Sequence, residues 1–363
     1  MTNPSRERIA VSEGTAAERI SAIAYRLATE GDLPTCTELW HRSLSDYQGR
    51  LNQPAFPLDL EPLRRLLAHI RSTDPEMFWV ATRDQQAGDK RDRVVGFGAA
   101  YLRGAVWFLA MLFVDPDEQA RGLGRELLIR TFPGGSAPDP EGPVVLGTAT
   151  DSTQPISNGL YAQYGMVPRL PVFQLVGRPR RGILPGLPSG VTATRFEDMP
   201  LEGAVRDGRA QPDGGQPDDA QHDGAQHDAG WLRAVNAIDR EILGYEHPLD
   251  HHWLRLGGRQ GFVYHAGRGA GSRPIGYAYT SAVGRVGPIA VLDDELLPAI
   301  AGHALDAILP RGASSLRVSG ASTALFSGLL RAGFRIDEFP ALLCWTRPFA
   351  DFARYVPNSL ALI

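Results

Sequence analysis

A chain of 363 residues has room for about two domains at the usual 100–200 residues each. Apolar residues at 43% and charged residues at 21% are ordinary globular usage and exclude wholesale disorder. A net charge of −4 with mixed signs implies no nucleic-acid or membrane surface, and two cysteines, Cys36 and Cys344, cannot build a disulfide framework or a structural zinc site. Residues 1–20 are polar and aperiodic and read as a flexible tail. A strand is expected at 25–28, then a helix entered through Gly31-Asp32-Leu33-Pro34 and running to about Ser45. Leu63, Leu66, Leu67 and Ile70 share one face of a second helix over 60–71. Strands follow at 78–82, 94–101 and 106–114, the first two separated by a charged loop. A helix over 122–131, a Pro/Gly loop at 133–143, a strand at 144–148, a short helix at 156–164 and a strand at 172–176 complete a β-α-α-β-β-β-α-β-α-β order. That order describes a mixed α/β (α+β) domain with a largely antiparallel start and a later crossover.

Residues 179–189 read as a linker, and a second periodic region runs from 190 to 363. It is interrupted at 206–230, where apolar residues almost vanish and Ala-Gln-His-Asp repeats, so a solvated, disordered insertion is expected; His222 and His227 within it are read as ordinary loop residues. The two regions look like one unit written twice. Gly31-Asp32-Leu33-Pro34 answers to Glu197-Asp198-Met199-Pro200, Val95-Gly96-Phe97-Gly98 to Ile275-Gly276-Tyr277-Ala278, and Tyr164-Gly165-Met166 to Ala332-Gly333-Phe334. The chain's start lacks the apolar core of a signal peptide, and the apolar run at 105–114 is too short to cross a bilayer, so a cytoplasmic protein is expected.

The segment carrying chemistry is Val114-Asp115-Pro116-Asp117-Glu118-Gln119-Ala120-Arg121-Gly122-Leu123-Gly124, after an apolar strand and opening a helix. Such a turn leaves successive backbone N–H groups free at the positive end of a helix dipole, a nest for a pyrophosphate. It is not the dinucleotide fingerprint, whose third glycine would fall at Leu127, nor a P-loop. Val-Asp-Pro followed by Gln-x-x-Gly-x-Gly resembles the acyl-CoA motif of the GNAT N-acyltransferase superfamily, and Asn158-Gly159-Leu160-Tyr161-Ala162-Gln163-Tyr164-Gly165-Met166 resembles its second motif. The resemblance covers about residues 25–176 and implies two tandem GNAT-like domains, an acyl-CoA-binding catalytic one at 21–178 and a second at 190–363, each a mixed, mostly antiparallel sheet flanked by helices.

The resemblance further implies acetyl-CoA or a short acyl-CoA as cosubstrate. It assigns the backbone amides of Gln119, Ala120, Arg121, Gly122, Leu123, Gly124 and Arg125 to its pyrophosphate, and the strand end Leu112, Phe113 and Val114 to its pantetheine arm. Asn158 would hold that arm from the other side, and Tyr161 would reprotonate the leaving thiolate. No ionisable residue lies on 106–114 to serve as general base; Asp46, Glu76, His41 and the carboxylate of Ile363 are alternatives, and Glu118 reads as solvated. Trp40, Tyr47, Trp79 and Trp107 are candidate walls of the acceptor pocket, or ordinary core aromatics. The acceptor is expected to be a small-molecule amine rather than a protein, attacked directly in a ternary complex.

In the second unit, ungapped alignment of Val291 on Val114 sets Leu296 against Gln119, Pro298 against Arg121, Ala299 against Gly122 and Ala301 against Gly124, while the pairing of Gly333 with Gly165 sets Leu329 against Tyr161. Pyrophosphate binding and proton donation should be lost there, so this domain is read as non-catalytic. Its run Glu246-His247-Pro248-Leu249-Asp250-His251-His252 has metal-ligand residue types but suggests no recurring ligand spacing, and no metal is expected. The rival reading is a non-catalytic acyl-CoA sensor or partner-binding protein.

Overall fold

The computed structural model describes residues 23–54, 58–83, 93–139, 141–199, 223–267, 269, 272–307 and 312–363, with residues 223–229 described as backbone only. The tail at 1–20 and residues 206–222 of the expected insertion therefore lie outside the described residues. The first half runs β1 (Ile23–Leu27), α1 (Leu33–Arg50), α2 (Glu61–Thr73), β2 (Phe78–Arg83), β3 (Arg93–Arg103), β4 (Val106–Val114), α3 (Leu123–Thr131), β5 (Val145–Asp151), α4 (Pro155–Ala162) and β6 (Val167–Gly177). This is the expected order. β6 begins five residues before the expected strand because Pro168 and Pro171, which disguise it, still present side chains and carbonyls to a partner strand.

The second half repeats the plan: β7 (Val191–Arg195), α5 (Asp223–Ile242), α6 (Pro248–Leu256), β8 (Gln260–Ala266), β9 (Arg273–Thr280), β10 (Val286–Val291), α7 (Leu297–Asp306), β11 (Ser314–Ser319), α8 (Thr323–Arg331), β12 (Arg335–Ile336), β13 (Ala341–Trp345) and β14 (Tyr355–Val356). Helix α5 starts at Asp223, so residues 223–230, expected to be disordered, are helical.

The two halves exchange their last strands. The first sheet runs β1-β2-β3-β4-β5-β13-β6-β11, so β13 of the second half sits between β5 and β6 of the first. On its far side β6 pairs with β11, while β12 pairs with β6 beside β13. β12 and β13 together are the second-half counterpart of β6, broken by residues 337–340. The second sheet runs β14-β10-β9-β8-β7, and an isolated parallel bridge, Arg285 to Ser315, joins the end of β10 to β11. Position 178 does not divide the packing, since strands from both sides of it share the first sheet.

One apolar core lies on the α1/α2 face of the first sheet and continues into the second half. It joins Leu39, Leu67, Phe97, Tyr101 and Phe108 to Trp231, Ile238, Tyr277, Tyr355 and Ile363. The other face of the first sheet is covered by α3 and α4 through Trp107, Leu128, Phe132 and Tyr161. The linker is docked rather than free: Leu184 and Leu187 pack on the second core, and Leu184 fills the space above Gly302 of α7 and Gly328 of α8. Among the described residues no helix is long and apolar enough to cross a membrane.

Candidate functional site

The chemistry of the first half gathers where two parallel strands part. β4 and β5 pair only from Val106–Val145 to Leu109–Thr148, closed by the buried Thr148 hydroxyl donating to the Leu109 carbonyl at 3.0 Å. Beyond Leu109 the β5 side of β4 is unpaired. A register shift against β3 between Ala99 and Ala100 leaves Ala110 as an extra residue, so Ala110 and Met111 both turn toward the α1 face. The result is a wedge with one edge formed by residues 110–114, which include Leu112, Phe113 and Val114 and whose β5 side no strand covers among the described residues. Helix α1 braces that edge: Ser43 donates to the Val114 carbonyl at 3.2 Å, Trp40 packs edge-on against Phe113 at 6.2 Å, and Arg42 pairs with Asp115.

The wedge runs into the nest. Asp115, fully buried, is held by Arg42 and Arg93 and accepts from the Asp117 N–H, fixing a single 3-10 turn over Pro116–Glu118. The chain then turns through positive φ at Ala120 (62°) and Gly122 (84°) into α3. Among the described residues, no acceptor meets the amides of Gln119, Ala120, Arg121, Gly122, Leu123, Gly124 or Arg125. A Cβ on Gly122 would meet nothing within 4 Å, and one on Gly124 only Val114 Cγ2 at 3.8 Å, so the nest faces open space. Arginines ring it: Arg83 and Arg121 both bind Glu118, at 2.6 and 2.7 Å. Glu118 is thus buried and paired, not solvated as its sequence position suggested.

Across the wedge, α4 supplies Asn158 and Tyr161. The Asn158 Nδ2 donates to the carbonyls of Asp151 at 3.1 Å and Gln154 at 2.8 Å, which leaves its Oδ1 buried with no partner. Such an orphaned acceptor suits an amide N–H arriving from a ligand. Tyr161 is 5% exposed among Trp107, Met166 and Cys344; burial pushes its hydroxyl above the usual phenol range, and Ser157 beside it partly offsets this. Tyr47 reaches from α1 to the Thr153 hydroxyl at the head of α4.

The four expected aromatic walls divide. Trp40 and Tyr47 flank the wedge. Trp107 does not: it is fully buried, packs at a tilt against Phe132 and donates its indole N–H to the Thr131 carbonyl at 2.8 Å, so it is a core residue. Trp79 lies with Leu123 and Leu127 on the α3 face and donates to the Glu76 carbonyl, on the other side of the sheet from α1. The candidate bases do not converge. Asp46 is paired with Arg50, Glu76 is exposed on the turn before β2, and Ile363 is buried with its N–H on the Tyr101 hydroxyl and its carbonyl facing the Tyr245 hydroxyl.

Among the described residues, the second half has no equivalent nest. Asp293 repeats the role of Asp115 by accepting from the Glu295 N–H, but α7 starts immediately after the 3-10 turn Asp294–Leu296. The nest segment is deleted rather than substituted, Pro298, Ala299 and Ala301 are buried in α7, and Leu184 of the linker fills the groove between α7 and α8. Leu329, opposite Tyr161, is fully buried. A cavity of about 760 Å³ does lie beside this turn. Its walls carry Glu241, Asp293, Asp294 and Asp351 with Arg273 and Arg354, a balance that repels a polyphosphate.

The structure also assembles a cluster that the sequence did not disclose. Arg103 of β3 binds Asp250 of α6 through Nε (2.9 Å) and a terminal nitrogen (3.0 Å), and Asp74 at 2.8 Å; His69 of α2 joins Asp250 at 2.6 Å. Beyond Asp250 lie His247, His251 and Asp239, all buried. Burial alone would lower His247, but the Asp239 and Asp250 carboxylates raise it to about 9, whereas burial and the neighbouring His247 lower His251. The spacing of His247 and His251, four residues apart along one helical face, was the available signal.

Residues 37–133 match the sequence profile of the acetyltransferase (GNAT) family. No curated protein sequence matches the chain. Among solved structures, a Pyrococcus horikoshii protein assigned to the acetyltransferases superposes with a TM-score of 0.64 at 13% identity, covering 100% of both chains. A GCN5-related N-acetyltransferase from Sphaerobacter thermophilus gives 0.52 at 14% identity over 91% of this chain and 98% of its own. A tandem GNAT protein from the clavulanic acid biosynthesis pathway gives 0.49 at 14% identity over 90% and 99%. Residues 37–133 thus carry the profile of that family, and the chain as a whole shares the fold of the Pyrococcus horikoshii and Sphaerobacter thermophilus structures.

Proposed function

We propose that the first domain transfers an acetyl group from acetyl-CoA to the amine of a small acceptor. The observation that carries this reading is the wedge between β4 and β5, which leads from the uncovered strand edge at 110–114 into seven unpartnered amides at 119–125. Acetyl-CoA fits these groups: the nest suits a pyrophosphate, the strand edge a peptide-like pantetheine arm, and the orphaned Asn158 Oδ1 one of its amide N–H groups. The cosubstrate supplies an activated thioester. Tyr161, held protonated by its surroundings, returns a proton to the departing sulfur. With no ionisable side chain on β4, rate enhancement rests on holding amine and thioester together beside Trp40 and Tyr47.

Calorimetric titration of acetyl-CoA into the wild type and a folded Gly122→Pro/Gly124→Pro variant, followed by an amine screen with Tyr161→Phe, tests the reading. One-site binding lost in the double variant, with Tyr161→Phe binding normally but turning over on the order of a hundredfold more slowly, is expected. Failure of the wild type to bind acetyl-CoA would overturn it. Binding without transfer to any amine would leave an acyl-CoA sensor.

A further inference from the structure

We infer that Asp239, His247 and His251 form a binding site for one divalent transition-metal ion of the zinc type, at the contact between the two halves of the chain. Asp239 lies near the end of α5, His247 caps α6 and His251 stands one turn into it. One ligand atom from each falls within 4.8 Å of the others: Asp239 Oδ2 stands 3.2 Å from His247 Nε2 and 2.7 Å from His251 Nε2. A tetrahedral ion with ligands at about 2.0–2.1 Å sets neighbouring ligand atoms roughly 3.3 Å apart, so of the three pairs Asp239–His247 already has that spacing, Asp239–His251 needs to open by about 0.6 Å, and His247–His251 lies within 4.8 Å. Two imidazoles and a carboxylate are a borderline-soft donor set, and they leave one position of the ion for water.

Two features separate this cluster from a buried hydrogen-bond network. The first is His247. Its ring is 3% exposed, and Nε2 and Nδ1 face the Asp239 and Asp250 carboxylates at 3.2 and 3.3 Å, within ion-pair range but without hydrogen-bond geometry. An ion in front of Nε2 would give that nitrogen the directed bond that the carboxylate contact lacks. The second is the outer layer, in which the far side of every ligand is held. Tyr277 donates to Asp239 Oδ1 at 2.7 Å, Tyr279 meets His251 Nδ1 at 2.9 Å, and Asp250 faces His247 Nδ1. Asp250 is itself fixed by Arg103 and His69. Carboxylate and hydroxyl partners behind metal-binding side chains orient the rings and raise their basicity. An ion here would pin α5 to α6 and, through Asp250, to β3 and α2 of the first half. The inference is independent of acetyl transfer.

Because the ligands are buried, metal must enter during folding. The test is the metal content of full-length protein expressed in zinc- or cobalt-supplemented medium and dialysed against metal-free buffer, with visible absorption of the cobalt form. About one ion per chain, four-coordinate cobalt bands and a melting temperature that rises when denatured protein is refolded with zinc are expected. His247→Gln and His251→Gln, checked for folding by circular dichroism, should retain less than roughly a tenth of the metal, while His252→Gln keeps it. Should either variant fail to fold, Asp239→Asn with the same readouts replaces it. Metal-free wild type from both media with no zinc effect on refolding overturns the proposal, as does stoichiometric metal surviving in folded His247→Gln and His251→Gln.

Discussion

Alanine at Gly124 should separate stability from binding. Gly124 is the second residue of α3 with ordinary helical dihedrals, and the only neighbour within 4 Å of an added Cβ is Val114 Cγ2 at 3.8 Å, an ordinary contact. Glycine costs a helix interior about 0.5–1 kcal/mol relative to alanine, and in the first turn the lower figure applies, so Gly124→Ala should raise the melting temperature by about 1 °C. The same methyl projects into the nest. Displacing one charge-assisted amide contact to a pyrophosphate, worth about 1.5–3 kcal/mol, weakens acetyl-CoA by roughly ten- to a hundredfold. Gly122→Ala is the companion. Its φ of 84° makes a side chain strained by about 1–2 kcal/mol although nothing lies within 4 Å, so stability and affinity fall together. Thermal melts and calorimetric titrations read both quantities. A Gly124→Ala protein that binds acetyl-CoA within twofold of wild type would refute the placement of the pyrophosphate at 119–125.

Three further outcomes follow from packing and charge. Removing the second half, to leave residues 23–188, exposes β5 and β6 along edges that β13 and β11 cover, so the fragment should be insoluble or lack a cooperative melt; a soluble, cooperatively folding fragment would disprove the dependence. Arg103→Met leaves Asp74 and Asp250 buried without their cation, which should cost about 3–5 kcal/mol in chemical denaturation, and a loss below about 1 kcal/mol would show that the pairing is dispensable. Burial raises Asp32, but the Arg26 and Thr29 hydrogen bonds outweigh it and lower the carboxyl from 3.8 to about 2. Its contribution is therefore complete above pH 3.8 and lost as pH falls toward 2. With Arg26 41% exposed, it is worth nearer 1 than 2 kcal/mol, and the stability gap between wild type and Asp32→Asn should close on acidification across that window.

What the sequence disclosed was local. The nest, α3, α4 and the duplication show in turn residues and short motifs because the backbone responds to them within a few positions. The bulge at Ala110 did not show: Val106–Val114 is apolar throughout, so no alternation exists in which a skipped register could be seen. Trp107 and Trp40 look alike in sequence, and only their side of the sheet distinguishes a core indole from a wall. The exchange of β6 and β13 pairs residues such as Leu170 and Leu343, and nothing near either names the other. In the second half, ungapped alignment sets crowding residues against the nest, whereas the fold lacks the nest segment altogether, a deletion that an alignment without gaps has no way to register.

The exchange also gives the half-chain without a nest a structural role at the wedge. β13 lies against β5 from Gly147 to Asp151 and so covers residues 149–151, the part of that strand which diverges from β4 to open the wedge. A strand leaving its parallel neighbour needs a second partner for its backbone groups, and here the partner comes from the other half. Asp250 and its neighbours then fix α6 against β3 and α2, beneath the same sheet. The second half lacks the nest segment yet supplies the strand that backs the diverging end of β5. Substitutions in β13 that disturb its pairing should therefore weaken acetyl-CoA binding even though no β13 residue lines the nest.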